Sequence, residues 1–305
     1  MIKKMFYIQV NAAERQSDGA GLQGVRHFSV REDTKPGSVI GSVLLPANGR
    51  MHYSISEGDG SLHFGIDSSS GDLYVHQPLD YEAAVGFFLV VRAEDTRLAS
   101  GVNVSAVVSV TVEDVNDHTP WFQDEVITFG VREDTAVGTP VFTFNAKDGD
   151  GSLPNSVIRY SLNLDPKLGS GSPTPLPFHV HPLTGTLTTV GPLDRESIQS
   201  FAFTVTATDQ AEKAVDRKWT TVTAQVFLLD VNDESPAFVS SETARVMEDA
   251  QVGSLVHHIR AVDGDLGNSG LVTYSVVAGN KDGLFTLEKR TGRRVEKDDN
   301  ESYHF

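Results

Sequence analysis

The 305-residue chain contains no cysteine, only two tryptophans and four methionines, and 25 basic against 41 acidic side chains. The lack of cysteine excludes thiolate nucleophiles, cysteine-ligated zinc and a disulfide framework, and leaves the redox compartment open. The shortage of positive charge, a formal net of −16, repels phosphates and anionic lipid heads and favours cations as partners. Long apolar runs are missing too. The longest, Val85 to Val91, is interrupted by Gly86 and falls far short of the roughly 18–20 residues that span a bilayer. The basic and briefly apolar start MIKKMFYIQV is too short for a secretory core and lacks a small-residue cleavage site after it, so a signal peptide is not expected within this chain. At 39% apolar residues, the chain still has enough hydrophobic material for packed cores.

What is present is a repeat. VREDTKPGSVIGSV (30–43) returns as VREDTAVGTPVFTF (131–144) and as VMEDAQVGSLVHHI (246–259). QPLDYE (77–82) returns as GPLDRE (191–196), FFLVVRAEDT (87–96) as FAFTVTATDQ (201–210), and VEDVNDHTPWF (112–122) as LLDVNDESPAF (228–238). Glu32 and Glu133 are 101 residues apart, whereas Asp80 and Asp194 are 114 apart. The second unit therefore carries about 13 extra residues, most simply DPKLGSGSPTPLP (165–177), a Pro/Gly/Ser surface loop. The pattern divides the chain into a tail (1–21), repeats at 22–118 and 119–235, and a partial repeat at 236–305 whose second half departs from the pattern after RRVEKDDNESYHF begins. That last piece lacks the final strands of a closed sandwich and is expected to be marginal alone.

Within each repeat the apolar residues alternate: Phe87, Leu89, Val91, Ala93; then Val104, Ala106, Val108, Val110, Val112; then Phe201, Phe203, Val205, Ala207. Period two signals half-buried strands, and short strands between Gly/Pro/Asp turns in units of about 110 residues predict an all-β chain of tandem β-sandwiches in a linear array.

The acids recur at fixed places: a Glu on an early strand, Asp-x-Glu, an Asp ending a strand, D-x-N-D before Pro, and DGD. Carboxylate and amide oxygens without sulfur suit a hard cation, and Ca²⁺ takes about 6–8 of them. An EF-hand is excluded for DGDGSLPN (148–155) and DGDLGNSG (263–270), because the twelfth position holds Arg159 or Tyr274 instead of a bidentate Glu. The ligands must converge from distant parts of the chain.

In this order and repetition the motifs resemble those of extracellular cadherin repeats, closest in character to the large Dachsous, Fat and protocadherin-like members, over roughly residues 24–292. The resemblance implies Greek-key β-sandwiches with about three Ca²⁺ between consecutive repeats. At the first junction it implies Glu32, Asp80, Glu82, Asp114, Asn116 and Asp117 as ligands, Val115 and His118 as carbonyl donors, Asp148, Asp150 and Asp209 from the next repeat, and Asn155 through its carbonyl. At the second it implies Glu133, Asp194, Glu196, Asp230, Asn232, Asp233, Asp263 and Asp265, with Val231 and Glu234 as carbonyl positions. There the A-x-D aspartate of the third repeat is missing, and Asn268 stands one place early with Ser269 in register. In the first repeat the D-x-D position reads PANG (46–49), so no upstream ion is expected.

The resemblance further implies no enzyme activity, calcium-dependent adhesion to another cadherin-family ectodomain, of the same or a different protein, and residence outside the plasma membrane. No Trp precedes position 121, so adhesion by insertion of an N-terminal Trp lacks its key residue. A passive spacer and an acid-pair hydrolase are the competing classes. No motif for a phosphate loop, zinc protease or serine hydrolase is present, and His179 and His181, on one face of an expected strand, read as ordinary histidines rather than zinc ligands. Trp121 and Trp219 are expected to pack. Asn103-Val-Ser and Asn300-Glu-Ser fit the glycan acceptor pattern.

Overall fold

The computed structural model describes residues 22–45, 50–95, 103–164 and 175–296; the PANG segment, most of the 165–177 loop and the Asn300 acceptor lie outside them. Two compact units result. One holds the described residues up to Thr119 with Asp148–Val157 and Asp209–Lys218; the other holds Pro120–Lys147, Ile158–Thr208 and the chain from Trp219.

The first sandwich is built from β1 (Leu22–Arg31), β2 (Val39–Ser42), β3 (Met51–Gly58), β4 (Phe64–Ile66), β5 (Asp72–Val75), β6 (Gly86–Asp95) and β7 (Asn103–Glu113). One sheet has the order β1-β7-β6-β3 and the other β2-β5-β4. β1 runs parallel to β7, while β7–β6 and β6–β3 are antiparallel. The expected alternation holds along β6, where Phe87, Leu89, Val91 and Ala93 are buried and Phe88 and Arg92 between them are exposed. Their partners in the core include Phe64 from β4 and Leu73 and Val75 from β5, so the two sheets close on one hydrophobic layer.

The second sandwich repeats this plan with β8 (Val126–Arg132), β9 (Pro140–Thr143), β10 (Arg159–Asn163), β11 (Phe178–Val180), β12 (Thr186–Thr189), β13 (Ser200–Thr208) and β14 (Trp219–Leu229). Its sheets are ordered β10-β13-β14-β8 and β11-β12-β9, with β8 parallel to β14. Phe203, Val205 and Ala207 are fully buried, and Phe178 meets Phe201 edge-to-face at 5.3 Å.

Corresponding hairpins are closed by different side chains. Asp67 Oδ1 accepts the N–H groups of Ser69 and Ser70, and in the second repeat His181 Nδ1 accepts those of Leu183 and Thr184. His181 therefore lies beyond the end of β11 and caps a turn, whereas His179 lies within β11, so the two do not share a strand. Gly185 closes that hairpin at φ +68, and a Cβ there would sit 2.3 Å from the Phe144 carbonyl oxygen.

Neither tryptophan packs as expected. Trp219 is 63% exposed because the buried residues of β14 are Val222, Ala224, Val226 and Leu228, which sends the odd positions outward. Trp121 is 49% exposed and lies in an isolated bridge to Lys147, whose Nζ stands 5.6 Å over its ring.

The third region forms two small sheets, β15 (Ala237–Phe238) with β17 (Ala261–Val262), and β16 (Leu255–His258), β19 (Arg293–Glu296) and β18 (Phe285–Leu287) in the order β16-β19-β18. Among its described residues no hydrophobic side chain is buried; Leu255 and Val262 are each half-exposed.

Candidate metal centres

Two acidic clusters form, one within each compact unit, and a glutamate organises each. Strand alternation that buries Val30 and Val131 points the next inward positions, Glu32 and Glu133, past the end of the core, where they are 7% and 4% exposed. Glu32 bridges two segments: its Oε2 accepts the Tyr81 N–H at 2.7 Å and its Oε1 that of Val115 at 2.7 Å. Glu133 does the same with Arg195 at 2.7 Å and Val231 at 2.8 Å. Outside them, Arg31 with Asp33 and Arg132 with Asp134 form matching exposed two-bond pairs. Such pairs fix local geometry and add little stability.

In the first cluster several of the candidate oxygens come together, Glu32, Glu82 and Asp114 in one group and Glu82 and Asp150 in another. Glu82 Oε1 accepts the Gly151 N–H at 2.9 Å, and Asp114 Oδ2 accepts from the Ser152 N–H, the Ser152 hydroxyl and Asn155 Nδ2. Asp150 Oδ1 accepts the His118 N–H at 3.0 Å, and Asp148 Oδ1 accepts the Asp150 N–H at 3.0 Å. Asp209, fully buried, takes the Lys218 N–H and one hydrogen of Asn116, whose other goes to the Asp216 carbonyl. Asp80 uses one oxygen to hold its own turn through the Glu82 and Ala83 N–H groups. Asp117 is exposed and pairs with the His118 ring, and the Val115 carbonyl accepts the Asp117 N–H at 2.6 Å.

The bonds left unmade matter more. Glu82 Oε2, Asp114 Oδ1, Asn116 Oδ1, Asp148 Oδ2 and Asp150 Oδ2 are all buried without a hydrogen-bond partner. Native proteins rarely leave such atoms unpaired, since each unpaired buried polar group costs about 1–3 kcal/mol. Among the described residues every such side-chain oxygen belongs to one of the two clusters, the others being Asp265 Oδ1 and Oδ2 in the second. The strain reaches the proton equilibria. Burial, with the charges of Glu32 and Asp114, pushes the Glu82 carboxyl up; burial, with Asp148 and Asp114, does the same to Asp150. Burial opposes protonation of His118, but the Asp117 and Asp150 carboxylates outweigh it and raise the imidazole.

The second cluster gathers Glu133, Asp194 and Glu196, and Glu196, Asp233 and Asp265, each trio with ligand atoms within 4.8 Å of one another. Asp263 Oδ1 accepts the Asp265 N–H at 3.0 Å, and the Val231 carbonyl accepts the Asp233 N–H at 2.9 Å. Asn232 and Glu234 are exposed. Burial raises Asp265, aided by Asp263, Asp230 and Asp233; burial and Glu133 raise Glu196; the Ser197 N–H and hydroxyl hold Asp194 down. Ser269 N–H and Asn268 C=O make only local turn bonds, to Leu266 and Leu271.

One participant was not expected from the sequence. Arg195, at the place of Tyr81, is 4% exposed, and its guanidinium donates to Asp230 Oδ1 at 2.6 Å, to Glu196 Oε1 and to the Gly264 carbonyl at 3.0 Å. The Tyr-to-Arg difference inside otherwise matching PLDxE motifs was the available signal.

The donor set fits a hard dication. It is all oxygen apart from the His118 ring, it is anionic, and its buried acceptors lack partners.

The fold defines a chain of tandem all-β sandwich repeats with acid-rich ends. The cadherin domain model matches residues 26–113, 127–227 and 242–299. Human protocadherin-23 is 44% identical over 276 residues, 88% of this chain and 8% of that protein; Drosophila melanogaster protein dachsous is 34% identical over 296 residues, 87% of this chain and 8% of that protein. The solved mouse cadherin-23 EC22-24 superposes with a TM-score of 0.75 at 27% identity, covering 90% of this chain and 85% of that one. The chain belongs to the cadherin family. It spans about 8% of the length of these curated relatives.

Proposed function

We propose that this chain is a calcium-binding segment of a cell-surface adhesion protein, lying outside the plasma membrane and engaging another cadherin-family ectodomain, of the same or a different protein. The observation that carries the calcium reading is the coincidence of two independent sets: the residues matched by motif to cadherin ligands, and the buried oxygens that lack partners. The motifs assign eight carboxylates to the first site, those of Glu32, Asp80, Glu82, Asp114, Asp117, Asp148, Asp150 and Asp209. About three Ca²⁺ would bring +6 against their −8.

Each residue has a task that its present bonds prepare. Glu32 holds the Tyr81 and Val115 segments together, and Glu82, Asp114, Asn116, Asp148 and Asp150 turn free lone pairs inward. Calcium supplies the positive charge that lets these oxygens stay close, which stiffens the passage from one repeat to the next. Among the described residues no helix is long and apolar enough to cross a membrane.

Calcium titration of the full chain by calorimetry, with melting in calcium and in chelator, tests the binding. Saturable binding in the roughly 10⁻⁴–10⁻³ M range of extracellular modules, with a higher melting temperature, is the expected result. Melting indifferent to calcium would remove the reading. Coated beads that aggregate only in calcium support adhesion by this segment, and beads that stay dispersed assign it the role of spacer.

A further inference from the structure

We propose that the first cluster also forms a transition-metal site, in which the His118 imidazole supplies a nitrogen ligand and Asp150 and Glu82 supply oxygens to Zn²⁺ or a dication of similar softness. The ligand atoms of Glu82, His118 and Asp150 all lie within 4.8 Å of one another. His118 Nδ1 is 3.2 Å from Asp150 Oδ1 and 2.8 Å from Asp117 Oδ1. Metal–ligand bonds of about 2.0–2.2 Å in a tetrahedron set ligand atoms roughly 3.3 Å apart, so the His118–Asp150 spacing needs little adjustment.

A second observation points to a ligand. The Asp150 side chain is completely buried, and its Oδ2 has no partner; neither has Glu82 Oε2. The ring is also seated by the backbone. A Cβ on residue 149 would lie 2.3 Å from His118 Cδ2 and 2.5 Å from Cγ, so only glycine lets the imidazole rest on the DGD segment. The side chain remains 46% exposed, which leaves room for water as a further ligand.

Calcium does not call for an imidazole here, because a hard cation takes oxygen, whereas Zn²⁺ and its neighbours favour nitrogen. The second cluster has Glu234 at the equivalent position and offers no nitrogen ligand there. Metal binding at Nδ1 needs that nitrogen's lone pair, so zinc affinity falls as pH drops and the imidazole is protonated. Since Glu82 and Asp150 serve in both assignments, Zn²⁺ at this position displaces calcium. That competition rests on the calcium reading, while zinc binding itself does not.

The test uses the full chain, stripped with chelator and desalted, titrated separately with Zn²⁺ and Ca²⁺, alongside His118→Glu and His118→Gln. Zn²⁺ affinity should fall about ten- to hundred-fold in both variants, a larger factor than any accompanying change in calcium affinity. X-ray absorption at the zinc edge of the wild-type complex should show imidazole scattering. Equal zinc affinity in wild type and both variants, or an oxygen-only shell, overturns the proposal. Zinc binding lost with His118 in a protein that never binds calcium leaves this proposal standing and removes the calcium reading. Melting in the absence of metal checks that the variants fold.

Discussion

The two acidic clusters are built on one frame and end with different charge arrangements. In both, a buried glutamate ties the Asp-x-Glu turn to the D-x-N-D segment, and a DGD loop packs beneath. The first has Tyr81 and His118 where the second has Arg195 and Glu234. In the first, Glu82 Oε2 and Asp114 Oδ1 are left bare; in the second the Arg195 guanidinium occupies Glu196 Oε1 and Asp230 Oδ1. The loop adjusts accordingly. Gly151 donates to Glu82 in the first cluster, whereas Leu266, at the matching place, donates to both oxygens of Asp230. A single side chain therefore decides whether the Asp-x-Glu glutamate and the first D-x-N-D aspartate wait for an external cation or hold one that the chain itself provides, while Asp265 keeps both oxygens unpaired; arginine's planar, permanently charged fork suits the second role.

Removing divalent ions should expose this difference most strongly. At about 100 times Kd each independent ion stabilises by about 2.7 kcal/mol, so chelation should lower the melting temperature and speed amide exchange at residues 114–118 more than at 230–234. Equal acceleration at both would contradict the comparison. Next, Gly149→Ala should destabilise the calcium-free chain by about 1–3 kcal/mol, because the new methyl must displace the His118 ring. Gly264→Ala should cost less, since its closest neighbour is the Glu196 side-chain Cγ at 2.9 Å; chemical denaturation of the two variants ranks them.

Exchanging the distinguishing residues gives opposite signs. Tyr81→Arg should weaken calcium at the first cluster about tenfold, and Arg195→Tyr should strengthen it at the second by a similar factor, about 1.4 kcal/mol each. Titrations unaffected by either change would show that the guanidinium does not compete.

The smallest effect is on pH dependence. Glu82, Asp150, Glu196 and Asp265 have raised folded-state values, so the folded chain binds more protons than the unfolded one in the window just above the ordinary carboxylate range. In chelator, these groups add stability as pH falls through that window and withdraw it as pH rises. Below it, Asp33, Asp134 and Asp194, whose values are lowered, lose their contribution on protonation. In calcium the upper slope should flatten or reverse, because protons then compete with the ion; melting curves against pH in both buffers check this.

The strands were legible because alternation is local: Phe87 to Ala93 and Phe201 to Ala207 each carry their own evidence of a buried face. The acids were legible because repetition singled them out from ordinary surface charge. Arg195 was not, since its place is fixed by contacts with Asp230 and Gly264, 35 and 69 residues away, that no periodicity encodes. The His118 ring escaped for a similar reason, being seated by a glycine 31 positions on. The tryptophans misled because aromatic size suggests burial, while strand parity and a position outside the sheets decided otherwise.

The parallel pairing of β1 with β7 has a mechanical consequence. Residues Val25–Arg31 lie beside Val107–Glu113 in one direction, so the chain enters this sandwich at one end of the sheet and leaves at the other. Tension applied through the two termini of the repeat pulls these neighbours past each other along their length. Their hydrogen bonds are loaded together in shear, and no single pair can be peeled away first. β8 and β14 form the same clamp over seven aligned pairs, from Val126 with Thr223 to Arg132 with Leu229. Each complete sandwich is thus wired to bear load along the chain.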